Sequence, residues 1–143
     1  MTVRAILSAK GADVATIEPT AVVAAAVKFL AERRIGAVVV IGPEDRVIGI
    51  VSERDIVRAL VSHGGAALQL PLTEVMTRKV ATCVTSDTIS SLMERMTQGK
   101  FRHLPVVEQG RLAGIVSIGD AVKYRLEEME REQAALRDYI QTA

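Results

Sequence analysis

The chain of 143 residues has no tryptophan, two phenylalanines and two tyrosines. Aromatics make up 3% of a sequence that is 49% hydrophobic, so the core has to be built from Val, Ile, Leu, Ala and Met. That scarcity removes the stacking platforms on which single-stranded nucleic acids are usually held. Cysteine is nearly absent too. Cys83 stands alone, which excludes an internal disulfide, and with His63 and His103 as the other candidate ligands the spacings of a zinc site are missing. No metal is expected. An excess of one charge is also lacking, since 18 Lys and Arg face 17 Asp and Glu. A protein whose main partner is nucleic acid carries a broad basic footprint, whereas this chain has room only for a local basic pocket. No run approaches the roughly 18 uninterrupted apolar residues of a membrane span, and the start MTVRAILSAK lacks the apolar core of a secretory signal. The expected compartment is therefore the cytoplasm, without a membrane partner.

What the chain does have is a sentence written twice. GIVSERD, Gly49 to Asp55, returns as GIVSIGD, Gly114 to Asp120. Further upstream, VATI from Val14 returns as VATC from Val80, 66 residues later, while RVIGIVSERDIVR from Arg46 returns as RLAGIVSIGDAVK from Arg111, 65 residues later. One residue is lost between the two matches, where a tight turn tolerates a deletion.

Each copy reads as a short strand, a helix, two hydrophobic strands and a second helix. In the first copy Val23, Ala26, Val27 and Leu30 share one helical face, and Thr20 is placed to cap its start. IGAVVVI and RVIGIVS are β-branched runs separated by the turn signal GPED, which predicts an antiparallel hairpin. The second copy supplies ISSLMERMTQGK, FRHLPVVEQG and RLAGIVS in the same order. Pro105 has no N–H for a ladder and is expected at a sheet edge or an irregular spot. A chain of this length buries an adequate core provided that the two copies share it. These boundaries divide the chain into repeat one at 6–64, a linker at 65–74, repeat two at 75–128 and a helical extension at 129–143. In the tail Val122, Leu126, Met129, Leu136 and Ile140 form an apolar seam that needs something to lie against, with Gln133 as its polar interruption.

The repeated motif admits two readings. Ser-x-x-Asp before an apolar helix resembles a capping box, with Ser52 and Ser117 as N-caps, although the back-reaching residue is usually Glu or Gln and here is the shorter Asp. On the other reading the turn holds a nucleoside. A carboxylate suits the adjacent hydroxyls of a ribose, and a serine hydroxyl with the N–H groups of a helix start suits a phosphate. Gly49 and Gly114 at the same place in two strands suggest a backbone that something approaches closely.

The doubled unit, GIVSxxD in both copies, EVMT before the second and FRHLPVV within it resemble a tandem pair of CBS domains, most of all the small stand-alone CBS-pair proteins of bacteria and plant organelles. The resemblance runs from about Ile6 to Leu126. It implies an α/β fold in which two β-α-β-β-α repeats pack as a pseudo-two-fold module, here with a C-terminal helical extension. It also implies two clefts that take adenine nucleotides of the AMP, ADP, ATP or NAD(H) class, and a flat homodimer. Carried onto this chain, Asp55 holds a ribose beside Thr82 and the strand of Arg102, His103, Leu104 and Pro105. Asp120 holds one beside Thr16 and the strand of Ile35, Gly36 and Ala37, with Ser52 and Ser117 near ribose or phosphate. Copy two has Arg102 and His103 where copy one has Gly36 and Ala37, and Arg54 precedes Asp55, so the Asp55 cleft is expected to be the more basic.

No nucleophile–base pair, paired carboxylates or metal cluster is visible, and the chain is expected not to be an enzyme. The function expected is a regulatory module that senses a nucleotide and signals to a protein the sequence does not name. A ligand-free interaction scaffold is the alternative, with a nucleic-acid binder behind it. Cys83, His63, Met93 and Met96 are read as ordinary core or solvated residues.

Overall fold

The computed structural model describes residues 1–142. Helix α1 (Val3–Lys10) precedes a first repeat made of β1 (Thr16–Ile17), α2 (Val23–Arg33), β2 (Ala37–Ile41), β3 (Val47–Ser52) and α3 (Glu53–His63). The second repeat follows with α4 (Ile89–Gly99), β4 (His103–Glu108), β5 (Arg111–Ser117) and the long α5 (Ile118–Thr142). In the first sheet β1 runs parallel to β2 and β2 antiparallel to β3, and in the second β4 pairs antiparallel with β5. Val40 pairs with Gly49 and Val106 with Gly114, so the second hairpin is one residue shorter and the deletion lies in its turn.

The second repeat's opening strand has shrunk to a single parallel bridge between Cys83 and Val106. Pro105 supplies the reason. In the first repeat the Val39 N–H donates to the Ala15 carbonyl at 3.2 Å. Pro105 stands at the matching place, opposite Ile115 as Val39 is opposite Ile50. Having no N–H, it removes that bond, and only the Cys83 N–H to Pro105 carbonyl and Val107 N–H to Cys83 carbonyl bonds remain.

The copies do not share one core. One buried cluster contains Val38, Val40, Val51 and Ile56 of the first repeat, and the other Leu92, Met96, Leu104 and Val116 of the second. Each is completed by a segment from outside its repeat. Val3 and Ile6 of α1 pack in the second core, while Leu72 and Met76, which precede α4, pack in the first. The stretch read as a linker is thus partly core, with Ala67 and Leu72 fully buried. This exchange also accounts for the paired glycines. A Cβ on Gly49 would lie 2.5 Å from the Met76 sulfur and one on Gly114 would lie 2.7 Å from Leu7 Cδ2, so the close approach is made by the chain's own side chains.

Thr20 does not cap α2. The N-cap is Val22, and the Val23 N–H is instead taken by the Leu70 carbonyl at 2.9 Å, because residues 21–23 bridge to 70–72. In the second repeat the cap is Thr88, whose hydroxyl accepts from the Ser91 N–H.

Candidate functional site

Both strand-to-helix turns close as capping boxes despite the short carboxylate. Ser52 is extended (φ −107°, ψ 167°), its hydroxyl accepts from the Asp55 N–H at 3.3 Å, and its own N–H donates to Asp55 Oδ2 at 2.9 Å. Ser117 and Asp120 repeat this with 3.1 and 2.9 Å bonds. Capping consumes much of the helix start. The Glu53 N–H goes to the Gly36 carbonyl and that of Ile118 to the Arg102 carbonyl, so the Arg54 and Gly119 N–H groups are left without an internal partner among the described residues. The helix starts therefore offer less to a phosphate than the sequence suggests.

The carboxylates keep acceptor capacity beyond the cap. An ionised carboxylate has about four lone-pair positions. On Asp55, Oδ2 accepts from the Ser52 N–H and hydroxyl, and Oδ1 accepts from the Thr77 hydroxyl at 2.9 Å. One position on Oδ1 stays open. On Asp120, Oδ2 accepts from the Ser117 N–H and from Lys10 Nζ at 2.6 Å, and Oδ1 makes no hydrogen bond among the described residues. Burial raises the Asp120 pKa, but the hydrogen bond and charge of Lys10 with the Ser117 N–H outweigh it, so the carboxyl lies below its usual range.

Each carboxylate faces a cleft built from both repeats. The Asp55 cleft, a cavity of about 610 Å³, has Ser52, Asp55 and Thr77 on one side and Phe101, Arg102 and His103 on the other. Arg54, Arg58, Lys79 and Lys100 add cationic groups to its wall, with Glu53 as a further acid. Arg54 reaches across to the Lys100 carbonyl at 3.1 Å and ties the two sides together. The Asp120 cleft, about 400 Å³, sets Ser117 and Asp120 against Ile35, Gly36 and Ala37. Its charged groups are Lys10, Arg33 and Arg34 with Asp13 and Asp120.

Of the residues singled out from sequence, Gly36, Ser52, Arg54, Asp55, Arg102 and His103 come together at the first cleft, and Ile35, Gly36, Ala37, His103, Ser117 and Asp120 at the second. Thr16, Thr82, Leu104 and Pro105 lie off both walls. Leu104 is fully buried in the second core, because β4 turns alternate side chains to its two faces. Sequence reasoning missed Lys10, Thr77, Arg34 and Lys100. Arg34 and Lys100 sit 66 residues apart as left-handed C-caps of α2 and α4, at φ 54° and 56°. The repeat offset marks them as a pair, but a left-handed cap is usually Gly or Asn, and nothing local announces a basic residue there.

The His103 ring makes no hydrogen bond among the described residues, and neither of its nitrogens is sealed from solvent. Burial pushes its pKa below the ordinary 6.5. Glu53 and Asp120 oppose that fall, and Arg102 and Lys10 add to it.

This arrangement of two repeats, crossed segments and paired clefts is that of a CBS-domain pair. The CBS domain family model matches residues 3–62 and 72–127, and the chain belongs to that family. Among solved structures, it is 46% identical to a CBS-domain containing protein from Agrobacterium tumefaciens, covering 87% of this chain and 99% of that one with a TM-score of 0.85. A CBS domain protein from Pyrobaculum aerophilum, solved in complex with AMP, is 27% identical with a TM-score of 0.74, covering 84% and 89% of the two chains. Among curated proteins it is 32% identical over 120 residues to the mitochondrial CBS domain-containing protein CBSX3 of Arabidopsis thaliana. That match covers 81% of this chain and 58% of the relative, so the chain spans less than two thirds of its length. Among the described residues no helix is long and apolar enough to cross a membrane.

Proposed function

We propose that the chain is a regulatory module that binds a phosphate-bearing adenine nucleotide, of the AMP, ADP, ATP or NAD(H) class, and passes its occupancy to a protein partner. The observation that carries this reading is the Asp55 cleft. It sets a hydroxyl and carboxylate floor of Ser52, Asp55 and Thr77 against the cations Arg54, Arg58, Lys79, Lys100 and Arg102. In this reading the open position on Asp55 Oδ1 takes one ribose hydroxyl and the arginines take the phosphate. Asp120 offers both positions of Oδ1 to a second nucleoside. The AMP complex of the Pyrobaculum relative supports the ligand class.

The module also has surface for a homodimer. Val57 and Val61 of α3 are 58% and 82% exposed, and Leu126, Leu136, Tyr139 and Ile140 are exposed along α5. In this reading the described chain pairs with a second copy through these helices. A thermal-shift panel of AMP, ADP, ATP, NAD+, NADH and adenosine tests the sensor. A ligand held only by the native state at a hundred times its Kd adds about 2.7 kcal/mol, roughly 5–10 °C for a domain of this size. No shift with any of the six would leave the scaffold reading in place.

A further inference from the structure

Gly36 and His103 are the residues common to the walls of both clefts. They also touch each other. A Cβ built on Gly36 would lie 3.3 Å from His103 Cε1 and 3.5 Å from Nε2, so the imidazole edge rests on backbone that a larger residue would displace. His103 pairs with Ser117 across β4 and β5, which places the ring beside the Asp120 turn, while its neighbour Arg102 lines the Asp55 cleft. Neither ring nitrogen is engaged by the protein, so both are available to a ligand or a proton.

We propose that His103 is a protonation switch shared by the two clefts: a phosphate bound in either one draws a proton from solvent onto the imidazole, and the resulting charge is felt in the other. The inference rests on the nucleotide reading above.

The surroundings make the switch workable. The charged groups that face the ring are Glu53 at the start of α3, Asp120 at the start of α5, Arg102 just before β4 and Lys10 at the end of α1. Two acids favour the charged ring and two bases oppose it, and burial outweighs the rest to tip the free ring towards neutral. An added phosphate breaks that balance in favour of imidazolium. Linkage fixes the sign. If binding raises the His103 pKa, the nucleotide must bind more tightly at low pH, and affinity falls as pH rises through the free and then the bound value. Each unit of that rise corresponds to about a tenfold difference in affinity between the two pH limits. With one proton serving both clefts, the first phosphate prepares the ring for the second, so the coupling is positive near neutral pH.

His63 is the other histidine and lies exposed at the end of α3, which supplies an internal control. The test is to follow both rings by NMR of histidine-labelled full chain, titrated from pH 5 to 8.5 alone, with AMP and with adenosine. His103 is expected to titrate below 6.5 in the free protein and to rise by at least about half a unit with AMP, a threefold affinity change. It should not move with adenosine, and His63 should move with neither. Arg58→Glu with Lys79→Glu, both lining the Asp55 cleft alone, should leave a rise that now needs more AMP, coming through the Asp120 cleft. Calorimetry of wild type and His103→Gln then removes the contribution of the phosphate's own ionisation near pH 6. The wild type should lose affinity from pH 6 to 8 more steeply than the variant. If AMP binds and the His103 titration does not move, the switch is wrong and the nucleotide reading stands. If the double variant abolishes the rise while AMP still occupies the second cleft, the shared wall is wrong. If AMP perturbs neither histidine nor any other part of the protein, both readings fall.

Discussion

Replacing Asp55 by Asn and by Ala separates what the carboxylate does for the helix from what it does for a ligand. The side chain is 8% exposed and accepts from the Ser52 N–H, the Ser52 hydroxyl and the Thr77 hydroxyl. Alanine removes both acceptor oxygens and with them all three bonds. The part-buried Ser52 N–H is then unpaired at a cost of about 1–3 kcal/mol, while the exposed Thr77 hydroxyl turns to water and loses little more. With about 0.3–1 kcal/mol for the lost charge at the start of α3, the expected loss is about 1–4 kcal/mol, within the roughly 5–15 kcal/mol that holds a domain together. Asparagine keeps the geometry, because its oxygen accepts from the Ser52 N–H and its amide donates to Thr77. It gives up only the charge at the start of α3, about 0.3–1 kcal/mol. Urea denaturation should therefore rank wild type above Asn by about 1 kcal/mol, and Asn clearly above Ala. Nucleotide affinity should follow a different order. Asn puts a donor where Oδ1 offered its last acceptor position, so it should lose about 1–3 kcal/mol of binding, nearly as much as Ala. Variants that lose stability in the stated order yet bind AMP as tightly as wild type would refute the ribose contact and leave Asp55 as a cap.

Arg102→Ala should weaken AMP at least about tenfold and adenosine far less, since a charge-assisted bond is worth roughly 1.5–3 kcal/mol; equal losses by calorimetry would place Arg102 away from the phosphate. Gly49→Ala forces a Cβ to 2.5 Å from the Met76 sulfur and 3.2 Å from the Thr77 carbonyl, and should cost about 1–3 kcal/mol by denaturant unfolding. Truncation after Leu126 keeps the buried α5 residues Ala121 and Tyr124, so it should weaken the proposed homodimer in light scattering without unfolding the repeats. Burial first, then Asp87 against the opposing Arg95, then Glu108, pushes the Cys83 thiol up to about 12, so at pH 8 a thiol reagent should label it only in unfolded protein.

Much of this architecture is legible because the motif is written twice. The offset of GIVSxxD sets β3 into α3 and β5 into α5 in equivalent places, and with them Ser52, Asp55, Ser117 and Asp120. What escapes notice comes from segments distant in sequence. Thr77 and Lys10 complete the two carboxylates across 22 and 110 residues, and no local pattern links them. The exchange of α1 and Leu72–Met76 between cores is equally silent, since an apolar stretch does not say which repeat it will cover. Thr20 illustrates the reverse error: a good capping residue is left unused where a backbone bridge satisfies the helix start. Pro105, expected at a sheet edge or an irregular spot, lies in β4 of a two-stranded sheet, and its missing N–H leaves the neighbouring segment as a single bridge.

The central claim is that the cleft between the repeats is a nucleotide site, and calorimetric titration of the full chain with AMP tests it most directly. Saturable binding is expected, with AMP at least about tenfold tighter than adenosine, matching a charge-assisted phosphate contact. Absence of any heat or stabilisation with AMP, ADP, ATP and NAD(H) up to millimolar concentration, in protein shown by mass spectrometry to carry no small molecule, would contradict it.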